Sequence, residues 1–242
     1  MIAGRVGFFS PQGFDPKSVG TLLGWWDATD SATITTVSGA VSQWNDKSSS
    51  GYNLTQGTAA NRPGTGTLNG KTCLTFNGTT QSMTRTPGAS GLSATFFVVC
   101  KANSVTSRNN VAFATGIASP GQAQFAAGYN SAASFVGSSR AGSIVGIAGG
   151  AANTSTAILG AVVSSTVISS FRRNGVSYTT TGANAIQGNS SGISVGCALT
   201  NSSPASLWDG SICEILWYSG SLSAGSISSV ETYLAAKWGV TL

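Results

Sequence analysis

Short apolar runs, broken every few residues by Gly, Ser, Thr or Asn, repeat along most of this chain and predict strands joined by turns. The runs are "AVSQW" (40–44), "CLTF" (73–76), "ATFFVVCK" (94–101), "NVAFAT" (110–115), "AQFAAGY" (123–129) and "ASFVG" (133–137). They continue with "SIVGIA" (143–148), "TAILGAVV" (156–163), "TVISSFRR" (166–173), "GISVGCAL" (192–199) and "GSICEILWYS" (210–219). Asn174-Gly175 sits between two of them, and both residues accept the positive φ of a type I′ hairpin turn. Only the last segment changes period. In "LSAGSISSVETYLAAKW", Ile227, Val230, Leu234 and Trp238 recur at helical spacing and form one apolar stripe. Ser223 is placed to cap the start, Lys237 falls in the last turn and Gly239 supplies the stop. The pattern predicts an all-β antiparallel two-sheet sandwich with one C-terminal helix docked through its stripe.

Residues 1–22 follow neither period. Pro11, Pro16 and the phenylalanines at 8, 9 and 14 read as an extended arm that needs a surface to lie on, and residues 23–242 read as the folded domain.

Composition sharpens this picture. Of 242 residues only 8% are charged, while 41% are hydrophobic and 32 are glycine, so solubility rests on neutral polar groups. The net charge of +5 comes from scattered bases with no aromatic interleaving, which argues against nucleic-acid binding. The charge-free stretch from Ala141 to Phe171 is interrupted by Ser, Thr and Gly, so no membrane insertion is expected. "MIAGRVGFFSPQGFDPK" carries no secretory leader pattern. Cys73, Cys100, Cys197 and Cys213 each lie in a strand-like run without a CxxC pair. They read as buried thiols, with disulfides of open connectivity as the alternative. With no histidine and no clustered thiols, a zinc site is not expected.

Seven carboxylates carry whatever acid–base or metal chemistry exists. Asp27, Asp30 and Asp46 cluster in "GWWDATDSATITTVSGAVSQWNDKSSSGYNLTQG", beside Trp25, Trp26 and Trp44. Converging at one sheet end they would suit calcium, but no dense Asp-x-Asp-x-Asp loop is present. A retaining glycosidase needs two carboxyls about 5–5.5 Å apart. Glu214 is followed by Ile215, Leu216 and Trp217, Glu231 lies in the helix, and Asp209-Gly210 reads as a turn. The acids therefore read as loop ties and the tryptophans as core plugs, with no catalytic residue, cofactor or metal assigned. Trp208, Tyr218, Tyr129 and Tyr52 are the candidate aromatic platforms for a sugar.

The blocks "LLGWWDATD", "VSQWNDKSSSGYNLTQ", "LNGKTCLTFNG", "LWDGSICEILWYSGSLS" and "VETYLAAKWGV", in this order, resemble the laminin-G-like, concanavalin A-like jelly rolls of tailed-phage and bacterial surface proteins. The resemblance implies two packed sheets with the chain's ends brought together. It also implies a non-enzymatic virion structural protein, in a tail fibre, receptor-binding or capsid and collar decoration role. On that reading the protein sits on the virion surface after assembly in the host cytoplasm. Its partners are other virion proteins bound through the arm, it forms a homo-oligomer with a trimer favoured, and a cell-surface glycan is a further candidate ligand. The alternatives are a bacterial lectin-like protein, at the cell surface or secreted, and a glycoside hydrolase.

Overall fold

A computed structural model describes residues 13–85, 93–105, 110–115, 123–129, 133–140, 143–164, 167–178, 192–200 and 203–242. Two antiparallel sheets pack face to face, as the alternating runs predict. The first runs β15 (Val176–Tyr178), β14 (Val167–Arg173), β13 (Ala157–Ser164), β8 (Ala94–Ala102), β19 (Asp209–Ser219), β6 (Lys71–Asn77), β5 (Gly64–Leu68), with β1 (Leu22–Asp27) also paired to β19. The second runs β12 (Ser143–Ala151), β11 (Ala133–Arg140), β10 (Ala123–Tyr129), β9 (Asn110–Thr115), β16 (Ile193–Val195), β7 (Met83–Arg85), β4 (Leu54–Thr55), β3 (Ala40–Trp44), β2 (Ile34–Val37). A small ribbon of β17 (Ala198–Thr200) and β18 (Ser203–Ala205) stands apart. The helix α1 spans Ala224–Trp238.

The first sheet is covered on both faces. Along β8, Phe96, Val98 and Cys100 enter the core between the sheets, while Phe97 and Val99 point the other way into a cluster under the helix. That double burial explains why "TFFVVC" is apolar without alternation. Trp26, Trp44 and Trp208 fill the inter-sheet core with Phe113 and Leu54, all fully enclosed. The helix contributes Ile227, Val230, Leu234 and Trp238 to the other cluster, the stripe read from the sequence. Its ends are also as read. Ser223 Oγ accepts from the Ser226 N–H at 3.1 Å, and Gly239 closes the helix in the left-handed region at φ 67°.

β19 organises the first sheet. One edge pairs with β8, while the other is shared, Asp209–Ile212 with β6 and Glu214–Tyr218 with β1, so the chain's two ends meet. Between Ile212 and Glu214 the register against β8 slips by one residue. This bulge lets two successive residues, Cys213 and Glu214, face the helix side. Asn174-Gly175 makes the expected turn, with φ 49° and 78°, and Asn174 Oδ1 accepts from the Ile158 N–H at 2.8 Å.

Two local expectations are corrected. The run 192–199 is not one strand: Gly196, at φ 77°, breaks it and leaves Cys197 between β16 and β17. Asp209-Gly210 opens β19 instead of making a turn. Of the N-terminal arm, Phe8 and Phe9 lie outside the described residues. The described part packs on its own domain: Phe14 lies 5.3 Å from the Tyr233 ring, and Tyr218 Oη donates to the Pro16 carbonyl at 3.0 Å.

Gly210 has a φ of 144°, and a Cβ there would sit 2.1 Å from the Lys101 carbonyl oxygen. Gly210→Ala is expected to cost about 3 kcal/mol or more, because the clash is with backbone in the central strand. Urea denaturation checks this by a lowered midpoint at unchanged slope.

Candidate functional site

Asp46 ties its loop. Its Oδ1 accepts from the N–H groups of Trp25 and Ser48, both at 2.8 Å, and its Oδ2 from Ser48 Oγ at 2.7 Å and the Tyr52 N–H at 2.9 Å. With four donors taken, this carboxylate has the structural role read from "WNDKSSSGYN".

Asp27 and Asp30 do meet, on a lysine. Lys47 Nζ lies 3.2 Å from Asp27 Oδ2 and 2.8 Å from Asp30 Oδ2, with the Trp25 ring 4.5 Å away. Asp27 also faces Glu214 directly across the β1–β19 ladder, and Lys237 from the helix reaches both, at 2.9 Å and 2.8 Å. Glu214 Oε1 accepts from Trp25 Nε1 at 2.9 Å and Tyr233 Oη at 3.0 Å, and its Oε2 from Trp238 Nε1 at 2.8 Å. Among the described residues no group of three or more Asp, Glu, Cys or His side chains is arranged to hold a metal ion.

Charges follow this geometry. Burial works to raise the Asp27 carboxyl, but Lys237, Thr29 and Lys47 together hold it below its ordinary 3.8. Burial pushes Glu214 above its ordinary range, with Lys237 and the Trp238 N–H pulling the other way. Lys47 loses to burial and gains more from Asp30 and Asp27, so it ends raised. Asp27 and Glu214 are paired across the ladder, yet Glu214 is 0% exposed and the Lys237 ammonium bridges the two carboxyls. As arranged, the pair fastens helix to sheet and leaves no room for a glycosidic bond. Glu231 is likewise held, by Arg172 Nε at 2.8 Å and Nη2 at 2.7 Å.

Three of the four expected sugar platforms are not on the surface: Trp208, Tyr218 and Tyr129 are fully buried, while Tyr52 is half-buried with the Arg85 guanidinium 4.2 Å from its ring. What the surface offers instead is a polar cleft of about 510 Å³ at one end of the first sheet, lined by Asn69, Lys101, Thr154, Ser155, Asn174 and Thr241 among others. Asn69 is oriented by donating through Nδ2 to the Trp238 carbonyl at 2.6 Å, and Asn174 by accepting through Oδ1. Each therefore keeps the other half of its amide for a ligand. The sequence signal for this cleft was slight: two turn asparagines and a Thr-Ser-Thr loop far apart in the chain.

No family model matches the chain, and no curated protein sequence does. Solved structures do. Domain 4 of the extracellular arabinanase AbnA of Geobacillus stearothermophilus, solved with arabinotriose, superposes with a TM-score of 0.57 at 13% identity, over 88% of this chain and 98% of that one. The Trypanosoma rangeli sialidase in complex with sialic acid gives a TM-score of 0.62 at 12% identity over 90% of this chain. An α-L-arabinofuranosidase of glycoside hydrolase family 54 gives 0.61 at 13% over 91%. This chain spans 33% of the sialidase and 60% of the arabinofuranosidase. Such identities establish the fold alone, a two-sheet antiparallel β-sandwich. They also correct two expectations. The non-enzymatic virion structural role finds no support, because solved proteins that share this sandwich include a domain of an arabinanase, an arabinofuranosidase and a sialidase. The expectation that the chain is no enzyme falls to the same finding.

Glu214→Gln is expected to destabilise the fold by about 2 kcal/mol, since an amide NH2 replaces one of two oxygens that both face donors, from Trp25 and Tyr233 on one side and Trp238 and Lys237 on the other. Asp27 behaves differently with pH. Its native pKa is depressed, so its stabilisation is complete above the ordinary carboxylate value and drains as the pH falls toward the lowered one. Asp27→Asn should destabilise the fold near neutrality, and the gap to the parent should narrow as the pH falls below the ordinary carboxylate value of 3.8. Urea midpoints at stepped pH measure it.

Proposed function

We propose that this chain is a carbohydrate-active β-sandwich protein that holds a glycan in the cleft between Asn69, Lys101, Thr154, Ser155 and Asn174. The observation that carries the reading is the likeness to AbnA domain 4, which takes in nearly all of both chains and was solved with arabinotriose bound. The cleft's chemistry agrees with it. Sugars present dense hydroxyls, and hydroxyl and amide side chains held on turns can both donate to and accept from them. Lys101, which has no ion pair among the described residues, adds a charge-assisted donor. Pentose oligosaccharides are the first ligands to try, sialylated glycans the second, following the printed ligands of the similar structures.

Calorimetric titration with arabino-oligosaccharides and sialyl-oligosaccharides, run alongside an assay for released sugar, tests the reading. An arabino-oligosaccharide is expected to bind, and Lys101→Ala to weaken it about tenfold, the value of one charge-assisted hydrogen bond. Ser155→Trp, which fills the cleft, should abolish binding without moving the thermal midpoint. Neither binding nor turnover across the panel, or binding indifferent to both variants, would refute the proposal.

A further inference from the structure

Cys73 and Cys213 share one face of the neighbouring strands β6 and β19, and we propose that they are a latent disulfide that closes when the protein meets a disulfide-bearing oxidant. Ile212 pairs with Leu74, so Cys213 and Cys73 each lie one residue beyond a paired position, where β6 gives way to β1 along this edge and the Ala28 N–H donates to the Cys213 carbonyl. Neighbouring strands lie about 4.8 Å apart, inside the range of about 4.4–6.8 Å between Cα atoms that an S–S bond spans. Both side chains emerge on the helix face, in one buried cluster with Leu68, Leu216 and Trp238, close enough for each thiol to perturb the other. No strand has to move far to join them.

The other two cysteines are placed elsewhere. Cys100 pairs with Ile212 but enters the inter-sheet core, on the opposite face, and Cys197 lies in the turn between β16 and β17. All four are free thiols in this structure.

Chemistry fixes the order of events. The neighbouring Cys213 thiol pulls the Cys73 thiol down to about 7 against its burial, helped by Ser211 and the Gly66 backbone. Burial pushes Cys213 well up. The Cys73 thiolate therefore attacks first, breaking the oxidant's S–S bond, forming a mixed disulfide and releasing one thiolate that takes up a proton. Cys213 then loses its proton, attacks the Cys73 sulfur and releases the second thiol. Two cysteine thiols become one disulfide and the oxidant becomes two thiols. Both sulfurs are buried, so exchange runs through local opening. The edge strand β5 is the thin side, because only Gly66, with no side chain, stands beside Cys73.

The bond would close a loop spanning more than half the chain and tie the middle of the first sheet to its central strand. The test uses the full chain incubated with oxidised glutathione near its thermal midpoint, then mapped by non-reducing peptide mass spectrometry. A Cys73–Cys213 crosslink is expected, with Cys100 and Cys197 still open to alkylation after unfolding. The thermal midpoint should rise by roughly 5–10 °C and return on reduction. Cys73→Ser and Cys213→Ser should each abolish the link and the rise. If either fails to fold, the Cys100→Ala/Cys197→Ala double variant must still form both. A link through Cys100 or Cys197, stable mixed disulfides alone, or no link would overturn the proposal.

Discussion

A carboxylate sealed between a sheet and a helix sets the terms for this molecule. Glu214 has no contact with water, and four donors from two elements converge on it: Trp25 from β1, and Tyr233, Lys237 and Trp238 from α1. A buried ion pair is weak evidence for stability, because desolvation offsets much of the attraction. Its contribution here is one of position. An apolar stripe tolerates sliding and rotation, whereas two indole N–H groups, a hydroxyl and an ammonium aimed at two oxygens do not. The helix is fixed in one register, and the terminal strand β1 is fixed with it.

That arrangement depends on the bulge in β19. A regular strand would send Cys213 and Glu214 to opposite faces. The slipped register puts both under the helix, one beside Cys73 and the other beside Lys237. A single extra residue thus supplies the first sheet with its polar anchor and its thiol pair. The first sheet is buried on both faces and reads as unbroken apolar sequence; in the second, β9 buries Ala112 and Phe113 between the sheets and Val111 and Ala114 against Ala198 on the other side.

Local features were legible in the sequence. Ser223, Gly239 and Asn174-Gly175 each declare a backbone conformation through their own chemistry, and each stands where expected. Periodicity located the helix stripe and most of the long strands. Very short strands were not visible: β4 has two residues, and no alternation can register in so few. The tyrosines and tryptophan proposed for sugar binding show a different limit. Trp208 and Tyr129 sit 5.7 Å apart in the core, but an aromatic at a strand end has the same local sequence whether it is rim or interior. The Asp27–Lys237–Glu214 cluster was illegible for a third reason. Its members are far apart in the chain, and nothing local to "ICEIL" or "AAKW" says they meet.

The placement of the acids also bears on where recognition falls. Asp46 spends its oxygens on loop amides, Asp27 and Asp30 on lysines, Glu231 on Arg172, and Glu214 on the helix. Five of the seven carboxylates in the sequence are thereby committed to holding elements together. In such a scaffold few acids are left to meet a ligand, and neutral polar groups concentrate where turns from distant parts of the chain come together, here beside Lys101. The cleft formed by the Asn69 turn, the Asn174 hairpin and the 154–156 loop is such a place. Its asparagines are held by bonds to the helix end and to β13, so their orientation is set before any ligand arrives. Preorganised amides lose little freedom on binding. A polyhydroxylated ligand matches their mixed donor and acceptor character better than an anion or an apolar molecule would.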